Sequence, residues 1–295
     1  MSYPPVPPPN GKGFTKRSHS DTYPFVDSSR SDLKGRSVFI TGASKGVGRA
    51  TAISYGRAGA SYIGLGARSS FGSLKKEILS AAKEAGHSPP NVLELKLDVQ
   101  DRESIRVAAK NTKDAFGTLD ILVNNAGYLE AYVPLLETNE EEYLKTWDIN
   151  YTAVYLVTKD FLPLVLASNL KTVVNLSSIG AHHIGHGASA YQTTKFALLR
   201  FTEFLMVDYG SQGLLAFAVH PGGIPTDLGL NLPKTMHSIL VDKPEVAGDT
   251  IVFLTQEKRD WLAGRYIDCT WDMEEFLAKE QEIVHGDKLK MRMVV

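Results

Sequence analysis

One cysteine, Cys269, stands in a chain of 295 residues. A lone thiol has no partner in its own chain, so an intrachain disulfide is excluded and a reducing compartment, the cytoplasm, is the expected location. Neither sign of charge is in excess: 32 Lys and Arg against 33 Asp and Glu give a formal net charge of -1. With no basic block, nucleic acid is not an expected partner. Long apolar runs are missing too. The stretch 161–167 is far too short to cross a bilayer, and the N-terminus shows no signal-peptide core, so no membrane association is expected. Proline is thinly spread except at the start, where six of the fourteen fall within the first 24 residues. Residues 1–30 are therefore expected to form a Pro-rich arm, either a loose leader or a strap across the domain or a neighbouring subunit.

What is present is a large apolar fraction, 43%, enough for one sizeable α/β core. From Ser37 onward, β-rich runs at 37–41, 61–65, 92–97, 121–124, 172–176, 215–219 and 266–269 alternate with helical patterns at 47–58, 73–85, 102–116, 140–167, 188–209 and 244–254. Near-continuous apolar strands alternating with helices predict a seven-stranded parallel sheet covered on both faces. A ligand is then expected beyond the carboxyl ends of the strands. Thr41, Asp98, Asn125, Ser178 and His220 all fall at or just after such ends.

Three motifs carry the chemistry. The turn Thr41-Gly42-Ala43-Ser44-Lys45-Gly46-Val47-Gly48 joins the first strand to the first helix. Its glycines permit a tight turn and close backbone approach, and a helix N-terminus offers free N–H groups to a pyrophosphate. Tyr191 and Lys195 lie one helical turn apart, so they share a face. An ammonium beside a phenol favours the phenolate, drawing its ordinary pKa of about 10 towards neutrality. Ser178, thirteen residues upstream of Tyr191, supplies a hydroxyl able to hold a carbonyl oxygen. The set implies proton transfer to and from an oxygen.

With Asn124-Asn125-Ala126-Gly127, Asn150 and Pro221-Gly222-Gly223-Ile224-Pro225-Thr226, these motifs resemble the short-chain dehydrogenase/reductase family in order and spacing over residues 34–267. The resemblance implies a Rossmann-type doubly wound fold, with one domain over 31–270, a substrate loop near 222–242 and a C-terminal extension over 271–295 like those of some fungal members. It implies Asn150, Ser178, Tyr191 and Lys195 as catalytic residues, Lys195 also gripping the nicotinamide ribose and Asn150 supporting a water on the proton path. Cofactor contacts fall to Gly42, Ser44, Lys45, Gly46, Val47, Gly48, Asp98, Val99, Asn125, Ala126, Gly127, Pro221, Gly222, Ile224 and Thr226, besides Tyr191 and Lys195. Of these, Asp98 would hold the adenine amino group, and Ile224 and Thr226 the carboxamide.

No Asp or Glu occurs between Asp32 and Glu77, where an NAD site places a carboxylate on the ribose. The second strand instead runs into Gly66-Ala67-Arg68-Ser69-Ser70, and either Gly66 or Ala67 stands at the discriminating position. Arg68 and Ser69 fit a 2′-phosphate, with Lys45 and Arg49 adding positive charge, so NADP(H) is the expected cofactor. His182, His183 and His186 lie in a Gly-rich loop that lacks the fixed geometry of a zinc site; no metal is expected, and they read as pocket lining or ordinary loop histidines.

Leu228, Leu230, Leu232, Met236, Ile239 and Leu240, with Tyr128, Leu129 and Tyr132, would form a bulky apolar pocket for a hydrophobic small molecule such as a secondary metabolite. The expected reaction is hydride transfer between nicotinamide and a carbonyl or secondary alcohol. The alternatives are a redox-neutral epimerase, dehydratase or cyclase on the same fold, and a binding protein that would have lost Tyr191 or Lys195. The helix over 188–209 is apolar nearly all round, which predicts cover from both sides in a homodimer or homotetramer. Alternation of Leu289, Met291 and Met293 with basic residues leaves the tail between a one-faced strand and a frayed end.

Overall fold

The computed structural model describes residues 11–293. Seven strands form one sheet: β1 (Ser37–Thr41), β2 (Tyr62–Ala67), β3 (Asn91–Lys96), β4 (Ile121–Asn124), β5 (Thr172–Leu176), β6 (Leu215–His220) and β7 (Tyr266–Asp268). Their order is β3-β2-β1-β4-β5-β6-β7 and every neighbouring pair is parallel. β1, β4, β5 and β6 are buried at every position, as strands covered on both faces must be, whereas edge strand β3 alternates with solvent.

Helices α1 (Gly46–Arg57), α2 (Leu74–Glu84), α3 (Arg102–Phe116), α4 (Glu140–Trp147), α5 (Ala153–Leu166), α6 (Ser189–Tyr209) and α7 (Pro244–Thr255) cover the sheet. The core is split by the sheet into two apolar layers, one gathering α1 and α7, the other α3 and α5. The continuous helix expected over 140–167 is interrupted: residues Asp148–Thr152 make a π-turn between α4 and α5. Asn150 at its centre turns inward and is fully buried, with its amide bonded outside the helix.

The N-terminal segment differs from a loose leader. Five of its six prolines fall in residues 1–10, outside the described residues. From Gly11 on, the chain is packed against the C-terminal extension, which folds as α8 (Met273–Leu277) and α9 (Glu280–His285). Ser18 bridges Trp271, and the Trp271 indole donates to the Gly11 carbonyl at 3.1 Å while stacking near Phe14. Arg17 reaches Asp272, Glu274 and Glu275, and His19 contacts Asp272 at 2.8 Å. Further along, the Lys243 N–H donates to the Ser20 carbonyl at 2.7 Å, tying the arm to the start of α7. This is the strap across the domain, whose partners composition could not name because they lie at the far end of the chain.

Of the two readings of the tail, the strand is not formed among the described residues. Asp287 and Leu289 sit at φ 43° and 65°, incompatible with extended backbone. The Leu289 carbonyl accepts one bond from Tyr266 at the β7 edge, and Leu289 and Met291 pack on the core while Met293 is exposed. Among the described residues no helix is long and apolar enough to cross a membrane.

Candidate active site

Strand order reverses between β1 and β4, and the carboxyl ends of β1, β4, β5 and β6 open into one cleft of about 1360 Å³. The floor is a hydrogen-bonded junction. Thr41 Oγ1 accepts from the backbone N–H groups of Asn125 and Ala126, each at 3.0 Å, and the Asn125 amide donates back to the carbonyls of Thr41 and Gly42. Gly42 has φ +66°, and a Cβ there would meet Ala126 Cα at 2.9 Å; at Gly48 it would meet the Asn125 amide at 2.4 Å. Glycine at both positions lets the α1 N-terminus close on β4. No side chain caps α1 and no acidic residue lies in its first turn. Its free N–H groups therefore face the cleft as an anion cradle, a fit to a nicotinamide dinucleotide made by the chain's own geometry.

Of the catalytic and cofactor-binding residues that the family resemblance implies, all but Gly48 and Asn150 line the cleft. Gly48 acts from behind, through close packing. Asn150 is held back in the wall: its Oδ1 accepts from the Tyr128 N–H and its Nδ2 donates to the Tyr128 carbonyl, both at 2.8 Å, with Thr194 Oγ1 at 3.2 Å. It braces the β4–α4 loop. Asp98 makes a tight turn, accepting from the Gln100 N–H at 3.0 Å.

Two of the three basic groups expected around a 2′-phosphate are already paired. Lys45 contacts Asp227 at 2.6 Å, and Arg49 is forked onto Glu77 at 2.5 Å and does not line the cleft. Arg68 and Ser69, directly after β2, do line it, and no ion pair engages Arg68 among the described residues.

Ser178 follows β5, and its Oγ accepts from the Gly180 N–H at 3.0 Å, leaving the hydroxyl proton for another acceptor. Tyr191 and Lys195 come from the first turns of α6, both buried, with Ser178 near enough to act on the Tyr191 phenol. Lys195 Nζ donates to the Leu176 carbonyl at 2.8 Å and lies 5.7 Å from the Tyr191 ring centre. The expected lowering of the phenol by the ammonium is not what dominates here. Burial raises Tyr191 to about 12, against a smaller opposing effect of Ser178. Burial also pushes the Lys195 ammonium down to about 8. Taking a charge out of water costs each group more than their separation returns.

At the far end, Leu129, Tyr132, Leu228, Leu232, Met236, Ile239 and Leu240 form an apolar wall. Leu230 is instead half exposed, and Tyr128 turns away, its hydroxyl bonded to Glu142 beside a smaller recess of about 410 Å³. His183 lines the cleft. His182 packs edge-on against Tyr266, its ring pushed down to about 4 by burial, and His186 is exposed. Among the described residues no three His, Cys, Asp or Glu side chains are grouped to hold a metal.

Three groups outside the expected site residues also take part. Ser18, His19 and Ser20 of the arm reach the cleft, Asp227 joins the substrate loop to the glycine turn, and Glu130 is buried against α6. Only Glu130 had a local signal, as the one charge in the apolar run 126–135.

Residues 36–237 match the family model described as short chain dehydrogenase. The chain belongs to the short-chain dehydrogenase family. Like its relatives, this short-chain dehydrogenase is an oxidoreductase that binds a nicotinamide cofactor. Mpl6, a short chain dehydrogenase of Monascus purpureus, is 51% identical over 289 residues, 98% of this chain and 99% of its own. The 3-oxoacyl-[acyl-carrier-protein] reductase FabG of Thermotoga maritima is 28% identical over 244 residues, 80% and 96% of the two chains. Among solved structures, the NADH-dependent reductase A1-R′ complexed with NAD superposes with a TM-score of 0.68 at 23% identity, covering 82% and 96%. That likeness is one of fold.

Proposed function

We propose that this short-chain dehydrogenase is an NADP(H)-dependent ketoreductase acting on a hydrophobic, polyketide-like carbonyl of the kind secondary metabolism makes. The observation that carries the reading is the convergence of Ser178, Tyr191 and Lys195 between an anion cradle and an apolar wall. The nicotinamide, when bound, supplies or takes the hydride. Ser178 holds the carbonyl oxygen with the hydroxyl proton that Gly180 leaves free. Tyr191, kept protonated by burial, gives its phenolic proton to that oxygen in the reductive direction. Lys195 grips the ribose and, with a pKa of about 8, can restore a proton to Tyr191 near neutrality. Acid–base catalysis of this type contributes roughly 10²–10⁴-fold. Asn150 keeps the loop that faces Lys195 in place.

The preference for NADPH rests on Arg68 and Ser69 at the β2 exit and on the missing carboxylate there. Screening hydrophobic ketones with NADPH and NADH, in wild type and Arg68→Asp, tests both halves. NADPH-linked reduction is expected, shifted at least tenfold towards NADH by the substitution, since a charge-assisted phosphate contact becomes a repulsion. Equal kcat/KM with both cofactors in the wild type overturns the cofactor assignment. Net turnover with unchanged cofactor absorbance would move the reading to a redox-neutral member of the family.

We also propose a homodimer or homotetramer as the working form. On α6, Phe196, Phe204 and Val207 are 42%, 55% and 76% exposed. They lie within about 80° of one another around the helix, a compact apolar face. Tyr155 of α5 and Leu144 of α4 are exposed as well. A second copy would bury this face symmetrically.

A further inference from the structure

We propose that Glu130 is a positioning residue for the reaction, which sets the height of Tyr191 by capping the first turn of α6 from a different part of the chain. The proposal rests on the ketoreductase reading of the site. Glu130 lies in the loop after β4, is 7% exposed, and comes from a position 61 residues before the tyrosine it touches. Its Oε1 accepts the backbone N–H of Tyr191 at 3.1 Å, and its Oε2 accepts the Thr146 hydroxyl of α4 at 2.8 Å. One carboxylate thus joins three elements at the catalytic residue.

Local sequence leaves α6 in need of such a cap. Ala188 precedes the helix and has no side chain with which to bond it, and the first turn holds no acidic residue. The first intrahelical bond runs from the Gln192 N–H to the Ala188 carbonyl, so the Tyr191 N–H has no acceptor within the helix. A buried N–H without a partner is costly, and a carboxylate at a helix N-terminus also meets the positive end of the dipole. Glu130 fills both needs at the residue whose position matters most.

Charge follows geometry. The groups facing Tyr191 are Lys195 from its own helix, Ser178 from the β5 exit, and Glu130 and Tyr132 from the β4–α4 loop. The negative charge of Glu130 works with burial to keep the phenol protonated, against Ser178. Tyr191 is thereby held as the acid that carbonyl reduction needs.

Full-length Glu130→Ala and Glu130→Gln separate positioning from general packing. With the alanine variant, kcat for reduction should fall about tenfold or more, the effect of losing a hydrogen bond to a charged group. NADPH affinity should stay within about twofold, because the α1 cradle is untouched. Hydrogen exchange should speed up at the Tyr191 amide, with residues 198–205 unchanged. Glutamine keeps an acceptor but not the charge. It should restore much of kcat and move the alkaline rise of alcohol oxidation to lower pH. Unchanged kcat with unchanged Tyr191 exchange overturns the proposal. So does loss of protection along all of α6 together with loss of NADPH binding. If the wild type reduces no carbonyl, the functional reading fails, and Tyr191 exchange in the alanine variant alone decides the role of Glu130.

Discussion

At Tyr191 burial outweighs the opposing pull of Ser178, and that balance shapes how each direction of the reaction depends on pH. The phenol at about 12 keeps its proton throughout the neutral range, so reduction always finds its acid. Oxidation needs the phenolate, whose fraction rises tenfold per pH unit below the pKa. Lys195, at about 8, holds its positive charge below that pH and loses it above. Reduction should therefore be level below pH 8 and weaken above it as the ribose loses its cation. Alcohol oxidation should climb into the alkaline range. Paired pH–rate profiles check this, and an oxidation rate that peaks below pH 7 would contradict the order of the two groups. The Tyr–Lys spacing could be read from the sequence because one helical turn fixes it. The sense of the pKa shift could not, since it depends on how deeply α6 sinks beside β5.

Elements with strong period and continuous apolar runs were legible to the residue. The expected bounds of β1, β4, β5 and α3 coincide with the observed ones. The π-turn was not, because local pattern over 140–167 is helical and the break is made by Asn150 bonding to Tyr128, 22 residues away. The short α8 was missed for a related reason: its acidic first turn is held by Lys16 and Arg17 of the arm, far away in sequence. Asn150→Ala should then act on stability as well as rate. It strips partners from the part-buried N–H and carbonyl of Tyr128, at about 1–3 kcal/mol each. Chemical denaturation should show a loss of about 2–4 kcal/mol. An Asn150 that served only the proton path would leave the unfolding midpoint where it is.

For the whole molecule, the cleft was legible wherever its residues sit at strand ends within named motifs, as with 41–48, 124–127, Ser178 and 221–226. It was illegible where distant segments meet, as with Ser18–Ser20 against Lys243, or Lys45 against Asp227. The outer face of α6 belongs to this larger scale. Phe204→Glu places a charge where two copies would meet and should shift the protein towards monomer. Activity should fall with it, because the same helix carries Tyr191 and Lys195. Light scattering at micromolar concentration, with rates on the same sample, checks both; an active, monodisperse wild-type monomer would remove the interface.

The seam between arm and C-terminal extension gives the molecule a built-in optical reporter. Trp271 is 2% exposed, its indole flanked by Phe14 and Phe276 and its N–H held by Gly11. Such an indole emits at short wavelength for as long as the arm covers it, and shifts red when water arrives. Trp147 packs elsewhere, against Tyr151, whereas Trp261 shares the Phe276 ring with Trp271. The Trp271 share of the protein's own fluorescence therefore follows the attachment of the segment from Gly11, with no label added and no change to the active site.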